Sequence, residues 1–341
     1  MLSDLTAPVR RLALVGLAKN TGKTETLAAL LRELAERDTP VGVTSIGRDG
    51  EEHDVIDARI DKPRIVLEAG SLVASTDALV RASGLAHERL ARTGMRTPLG
   101  EVVIARVTER GAVEVAGPST AEDLRKVSEE MIGFGAAKVL IDGSIDRRAA
   151  SSPTVADGLV IATGAVLSED IEAVVAATKD AVELVRLPAA GGPPVDVSTS
   201  GGEEILTLER GLVLNAEPAE IAALLREHPK ASVFNVDGAL SERFLEGLLT
   251  ARTERAGREL RIVVGDPTKV FLTRRGAGWY RRQGLAIEVL RMIRLKAITV
   301  NPVAPQAHRF DSGQLRGLIE AAVPDVPVLD VLDPPYLALA K

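Results

Sequence analysis

No cysteine occurs among the 341 residues, so disulfides, thiolate nucleophiles and cysteine-held zinc or iron–sulfur centres are excluded. Aromatic residues are scarce at 2%, which leaves leucine, valine, isoleucine and alanine to fill the core. No run approaches the roughly 18 apolar residues of a membrane-spanning helix, and no membrane association is expected. Basic runs are missing as well, and the formal net charge is -6. A nucleic-acid partner, whose phosphates draw concentrated cationic charge, is therefore not expected. The four histidines, His53, His87, His228 and His308, lie far apart without the spacing of metal ligands. The stretch from Met1 to Arg11 lacks the charged-then-apolar pattern of a secretory leader, so a cytoplasmic protein is the expectation.

What remains is an ordinary globular balance, 45% hydrophobic and 26% charged, on a chain long enough for two domains. Arg11 to Val15 is a short apolar run followed by glycine and reads as a buried strand. From Thr24 to Glu36, leucines at 27, 30, 31 and 34 mark one face of a helix, and Val41 to Ile46 is the next strand. This is a βαβ unit, the signature of a parallel sheet. Glu101–Val107 and Ala112–Ala116 read as a hairpin turning at Glu109-Arg110-Gly111. Ser119-Thr120-Ala121-Glu122 has capping-box spacing before a helix running to about Phe134. Strands at 137–141 and 159–162 and a helix opening at Ser168 complete a first α/β domain, residues 1–187. The proline- and glycine-rich stretch that follows is expected to be a linker or irregular segment, 188–229. Strand and helix patterns resume over 230–341, a C-terminal α/β domain that packs on the first or extends its sheet.

The chemistry concentrates in Gly16-Leu17-Ala18-Lys19-Asn20-Thr21-Gly22-Lys23-Thr24, placed between strand and helix as a P-loop requires. The fold class expected is thus α/β, a P-loop NTPase-type, mostly parallel sheet flanked by helices, with the second C-terminal α/β unit. Glycines 16 and 22 let main-chain N–H groups, with those of Asn20 and Thr21, converge on phosphate oxygens at a helix N-terminus. Lys23 is expected to reach the β- and γ-phosphates, and the Thr24 hydroxyl to ligate Mg2+. Five residues separate Gly16 from Gly22, where the common loop has four.

The magnesium carboxylate is expected at the end of an apolar strand, and Asp142 in Lys138-Val139-Leu140-Ile141-Asp142-Gly143 fits best. After the second strand, Arg48 is a candidate phosphate contact. Asp49, then Glu51, is the candidate catalytic or metal carboxylate facing the γ-phosphate. Both stretches also read as ordinary polar turns. No Asn/Thr-Lys-x-Asp base reader for GTP follows a later strand, so ATP is the expected nucleotide. The basic segment Arg274–Lys296 reads either as a docking surface for an acidic partner or as a solvated helix face.

The five-residue spacing resembles the loop of dethiobiotin synthetase and its relatives. Lys19 invites comparison with the extra lysine of ParA/MinD-type ATPases, which acts across a dimer, although it stands four residues before Lys23 rather than five. It also reads as a phosphate-facing or solvated lysine, and a homodimer stays open.

Taken together, GLAKNTGKT, TSIGRDGE, TPLGEVVIARV, VAGPS, LIDGSIDR and TVNPVAP resemble the reactivase subunits of lysine 5,6-aminomutase. That resemblance implies an ATP-dependent, chaperone-like component that lets a cobalamin- and pyridoxal-phosphate-dependent aminomutase exchange a damaged cofactor. It also implies the aminomutase and a MutS-like ATPase subunit as partners. Two further readings stand beside it: a small-molecule synthetase of the dethiobiotin type and a nucleotide-binding regulator. The synthetase needs a lysine in the loop after the second strand, where this chain has Gly47-Arg48-Asp49.

Overall fold

Short runs of aliphatic residues with no polar alternation fold as strands buried on both faces, and such strands belong inside parallel sheets. The computed structural model describes residues 1–47, 64–144, 148–191, 204–252, 259–305, 308–334 and 336. The chain divides into two compact units, Met1–Thr178 with Arg294–Lys341, and Lys179–Ile293.

The first unit opens with helix α1 (Leu2–Thr6), strand β1 (Arg11–Gly16), helix α2 (Lys23–Ala35) and strand β2 (Val41–Ser45). Then come β3 (Ile65–Leu67), β4 (Leu72–Thr76), α3 (Asp77–Ala82), β5 (His87–Thr97), β6 (Gly100–Val107) and β7 (Gly111–Val113). Helix α4 (Ala121–Gly133), β8 (Lys138–Ser144), β9 (Gly158–Gly164) and α5 (Ile171–Val185) follow, with α5 running past the unit boundary. The order across the nine-stranded sheet is Val328–Leu329, Leu295–Asn301, β9, β1, β8, β2, β4, β6, β5. Pairing is parallel from Val328–Leu329 through to β4, and antiparallel from β4 to β6 and from β6 to β5. The expected class, α/β with a large, mostly parallel sheet flanked by helices, is what the fold has.

Leu12 and Leu14 of β1, Leu27 and Leu30 of α2, Val43, Leu140 and Val160 form the centre of an aliphatic core. That is the core the shortage of aromatic residues predicts. The second unit differs. Its parallel sheet runs Glu204–Leu208, Ala231–Val236, Leu260–Val264, Leu285–Val289, and its core gathers Phe234, Phe244 and Tyr280 with Trp279 packed against it. The few aromatic residues are concentrated there.

Several expectations need correction. The hairpin is β5–β6, with Thr97 opposite Gly100, while β7 pairs antiparallel with β3. β5 escapes sequence reading because it is an edge strand of polar residues, HERLARTGMRT, whose arginines keep the edge from pairing further. The helix cap is Thr120, whose side chain accepts from Asp123 N at 3.1 Å, one residue beyond the expected box. The segment expected as a linker, 188–229, holds the strand Glu204–Leu208 and the helices Arg210–Asn215 and Pro218–Glu227. Most important, residues 230–341 are not one domain. Leu295–Asn301 returns to the first unit and pairs in parallel with β9.

Candidate functional site

The loop between β1 and α2 lies at the C-terminal edge of the large sheet, where an open α/β sheet leaves its ligand crevice. Its glycines have packing reasons. A Cβ on Gly16 would stand 2.5 Å from Thr21 Oγ1 and 3.1 Å from the Ala18 carbonyl. Gly22 caps α2 with φ 85, a left-handed conformation that costs a side-chain-bearing residue about 1 kcal/mol or more. Asn20 is left-handed too, with φ 65. Thr21 is buried and donates to the Ala18 carbonyl at 3.1 Å, bracing the turn from inside. Lys19 and Asn20 are exposed on the outer side.

Lys23 is the first residue of α2 and Thr24 the second, and both are half-buried. The main-chain N–H groups of a helix's first turn have no partner within the helix and carry its positive dipole end. Asp142 reaches the same place from β8, which lies directly beside β1. It stands opposite Leu14 of β1 on one side and Ser45 of β2 on the other. Its Oδ1 is 2.6 Å from Lys23 Nζ, and both side chains keep about a quarter of their surface open, at 27% and 24%. The structure therefore brings Gly16, Thr21, Gly22, Lys23, Thr24 and Asp142 to one edge. Arg48, Asp49 and Glu51 lie outside the described residues, as do Asp146 and Arg147.

Beyond β2 the chain makes a second close approach. Gly47 N donates to the Pro118 carbonyl at 2.7 Å, and Ser45 Oγ donates to the Val115 carbonyl at 3.0 Å. A Cβ on Gly117 would stand 2.1 Å from the Ser45 carbonyl oxygen, so glycine is required there. This seam holds the segment leading into α4 against the end of β2.

Three hydrogen bonds from outside the sequence-derived set brace the loop and the start of α2. Leu17 N donates to the Ala162 carbonyl of β9 at 3.0 Å. The hydroxyls of Thr26, in α2, and Thr299 are 2.7 Å apart in a buried pair. Asn301 Nδ2 donates to the Asn20 carbonyl at 3.2 Å. Thr299 and Asn301 fall in the TVNPVAP motif, but nothing local shows that they meet the loop region, across 273 and 281 residues of sequence.

A cavity of about 990 Å³ opens along α2, lined by Thr24, Leu31, Ala35, Ile65 and Arg110 among others. It shares only Thr24 with the loop set, and the loop remains the candidate site. The donor set there consists of main-chain N–H groups at a helix start, one ammonium group, one hydroxyl and one carboxylate. Such a set suits a polyanion accompanied by a hard divalent cation. Among the described residues no group of three or more histidines or carboxylates could hold a metal on its own, and no helix is long and apolar enough to cross a membrane.

Fold and site together define an α/β protein with a glycine-bracketed strand–loop–helix turn at the C-terminal edge of a mostly parallel sheet. The chain matches no protein-family model, no curated protein and no solved structure.

Proposed function

We infer that the chain is a P-loop protein that binds ATP with Mg2+ at residues 16–24. The observation carrying this reading is the Lys23–Asp142 pair at 2.6 Å, set at the end of a strand–loop–helix unit. An ammonium group and a carboxylate held together at a helix start are the two charges a Mg–triphosphate needs. Lys23 would turn from Asp142 to the phosphates, and Asp142 with Thr24 would hold the metal, which supplies charge neutralisation there. The glycines fit the same role, since close main-chain approach to phosphate leaves no space for Cβ.

The biological role we attach to this site is that of an ATP-dependent reactivating subunit for a cobalamin- and pyridoxal-phosphate-dependent lysine 5,6-aminomutase, working with a MutS-like ATPase subunit. The motif set GLAKNTGKT, LIDGSIDR and TVNPVAP supports it. Nucleotide can drive such a factor only by binding two of its conformations with different affinity.

Calorimetric titration with Mg-ATP tests the site. Lys23→Ala removes the ammonium and weakens binding at least a hundredfold with an unchanged circular dichroism spectrum. Equal affinities for wild type and variant end the P-loop reading. For the role, the protein with its MutS-like partner, ATP and fresh cobalamin restores turnover to suicide-inactivated aminomutase. No recovery removes that assignment while leaving the nucleotide site standing.

A further inference from the structure

Asn301 ends the strand Leu295–Asn301 and opens the turn Asn301-Pro302-Val303-Ala304-Pro305. Its side chain is engaged at both ends. Nδ2 donates to the Asn20 carbonyl at 3.2 Å, and Oδ1 accepts from Val303 N at 3.1 Å, which fixes the amide's orientation. Its Cβ lies where a Cβ on Gly22 would be only 2.9 Å away. Asn301 thus touches the loop at Asn20, its one left-handed residue other than glycine, and at Gly22, the left-handed cap of α2. Two residues earlier on the same face of the same strand, Thr299 meets Thr26 in the first turn of α2.

We propose that Asn301 is a positioning residue that holds the 16–22 loop in its phosphate-receiving conformation. This rests on the P-loop reading above. Asparagine enters the left-handed region more readily than most residues, yet it stays there over the alternatives only where its surroundings support it. Here the surroundings are a fixed amide donating to its carbonyl and a Cβ packed against the next left-handed residue. Freed from that bond, Asn20 relaxes toward right-handed φ, and the N–H groups that follow turn away from a common anion. Asn301 therefore acts on whatever the loop receives, through the loop alone, without touching the nucleoside.

The test is calorimetry on the full chain with two probes, Mg-ATP and Mg–tripolyphosphate, the second carrying phosphates and no nucleoside. Wild type binds both. Asn301→Ala weakens both by about tenfold, equal to about 1.4 kcal/mol, with the melting temperature within a few degrees of wild type. Asn301→Asp keeps the size of the side chain and its acceptor for Val303 N but cannot donate to Asn20, and it weakens both probes at least as much. Weakened Mg-ATP with unchanged Mg–tripolyphosphate puts Asn301 on the nucleoside and overturns the proposal, as does an Asp variant that binds like wild type. Failure of wild type to bind either probe strikes the P-loop reading instead.

Discussion

Lys138 opens β8 and carries its ammonium group into the protein, with only 5% of its surface exposed. Nζ donates to the carbonyls of Thr6 at 2.7 Å and Val9 at 2.5 Å, tying the end of α1 and the lead into β1 to the sheet. Neutral carbonyls do not offset the loss of water, and burial pushes the amine's pKa down from 10.5 to about 8. The consequence for stability has a definite sign. Between about 8 and 10.5 the unfolded chain binds more protons at this site than the folded one, so stability rises with pH across that window. The gain is complete above 10.5 and lost as pH falls to about 8. Lys138→Met has no such proton to lose. Thermal melts of the two proteins from pH 7.5 to pH 10 should show wild type gaining on the variant by on the order of 2 kcal/mol. Parallel curves refute the assignment. At neutral pH the variant leaves the buried Val9 carbonyl without its donor, while the Thr6 carbonyl keeps Val9 N at 3.1 Å, and the loss costs about 1–3 kcal/mol.

At the scale of elements, Glu242 shows how one carboxylate fixes a loop. It begins the helix Glu242–Arg252 in the second unit and is buried. Burial alone raises its pKa. Hydrogen bonds outweigh that: Thr273 N at 2.9 Å, Arg274 N at 3.0 Å, Arg275 N at 3.0 Å, and the hydroxyls of Thr273 at 2.5 Å and Tyr280 at 3.1 Å. The net result holds Glu242 at about 2, below the ordinary 4.5. Its contribution is therefore present above pH 4.5 and lost as pH falls toward 2. Glu242→Gln points an amide at donors that need an acceptor and should cost about 2–4 kcal/mol at pH 7. It should also flatten the loss of stability between pH 4.5 and pH 3, read by calorimetric melts. A variant as acid-sensitive as wild type refutes the nest. Arg274 and Arg275 belong to this loop and, with Trp279, sit at the start of the helix Ala277–Arg282; Arg275 lies 5.0 Å over the Trp279 ring. A solvated helix face is one reading of Arg274–Lys296, yet after the short helix Ala277–Arg282 the chain turns at Gly284, φ 79, and runs on as the strand Leu285–Val289. The apolar spacing of Leu285, Ile287 and Val289 is two, a strand period, and the arginines around it mask that signal.

Over the whole molecule, what the sequence displays is what local periodicity encodes. β1, α2, β8, β9 and the loop joining β1 to α2 are legible because aliphatic runs, glycines and leucine spacing are local facts. So is Asp142 at a strand end. The partner of Leu295–Asn301 is not legible, because an apolar run fits any parallel sheet equally well and only the assembled core decides between them. The contiguous division at residue 187 fails for that reason. A chain ending at Leu187 keeps the loop, Lys23 and Asp142 but loses Leu295–Asn301 from the flank of β9, whose seven residues are all buried. It also loses Thr299 and Asn301 against the loop, and Tyr336, whose hydroxyl donates to the buried Glu33 and accepts from Leu2 N at 3.0 Å. An apolar strand edge stripped of its partner pairs with other copies. The shortened chain should therefore aggregate on size exclusion, melt without cooperativity and bind no Mg–tripolyphosphate. A monomeric, cooperatively melting fragment would restore the contiguous domain and remove the return strand's part in holding the loop.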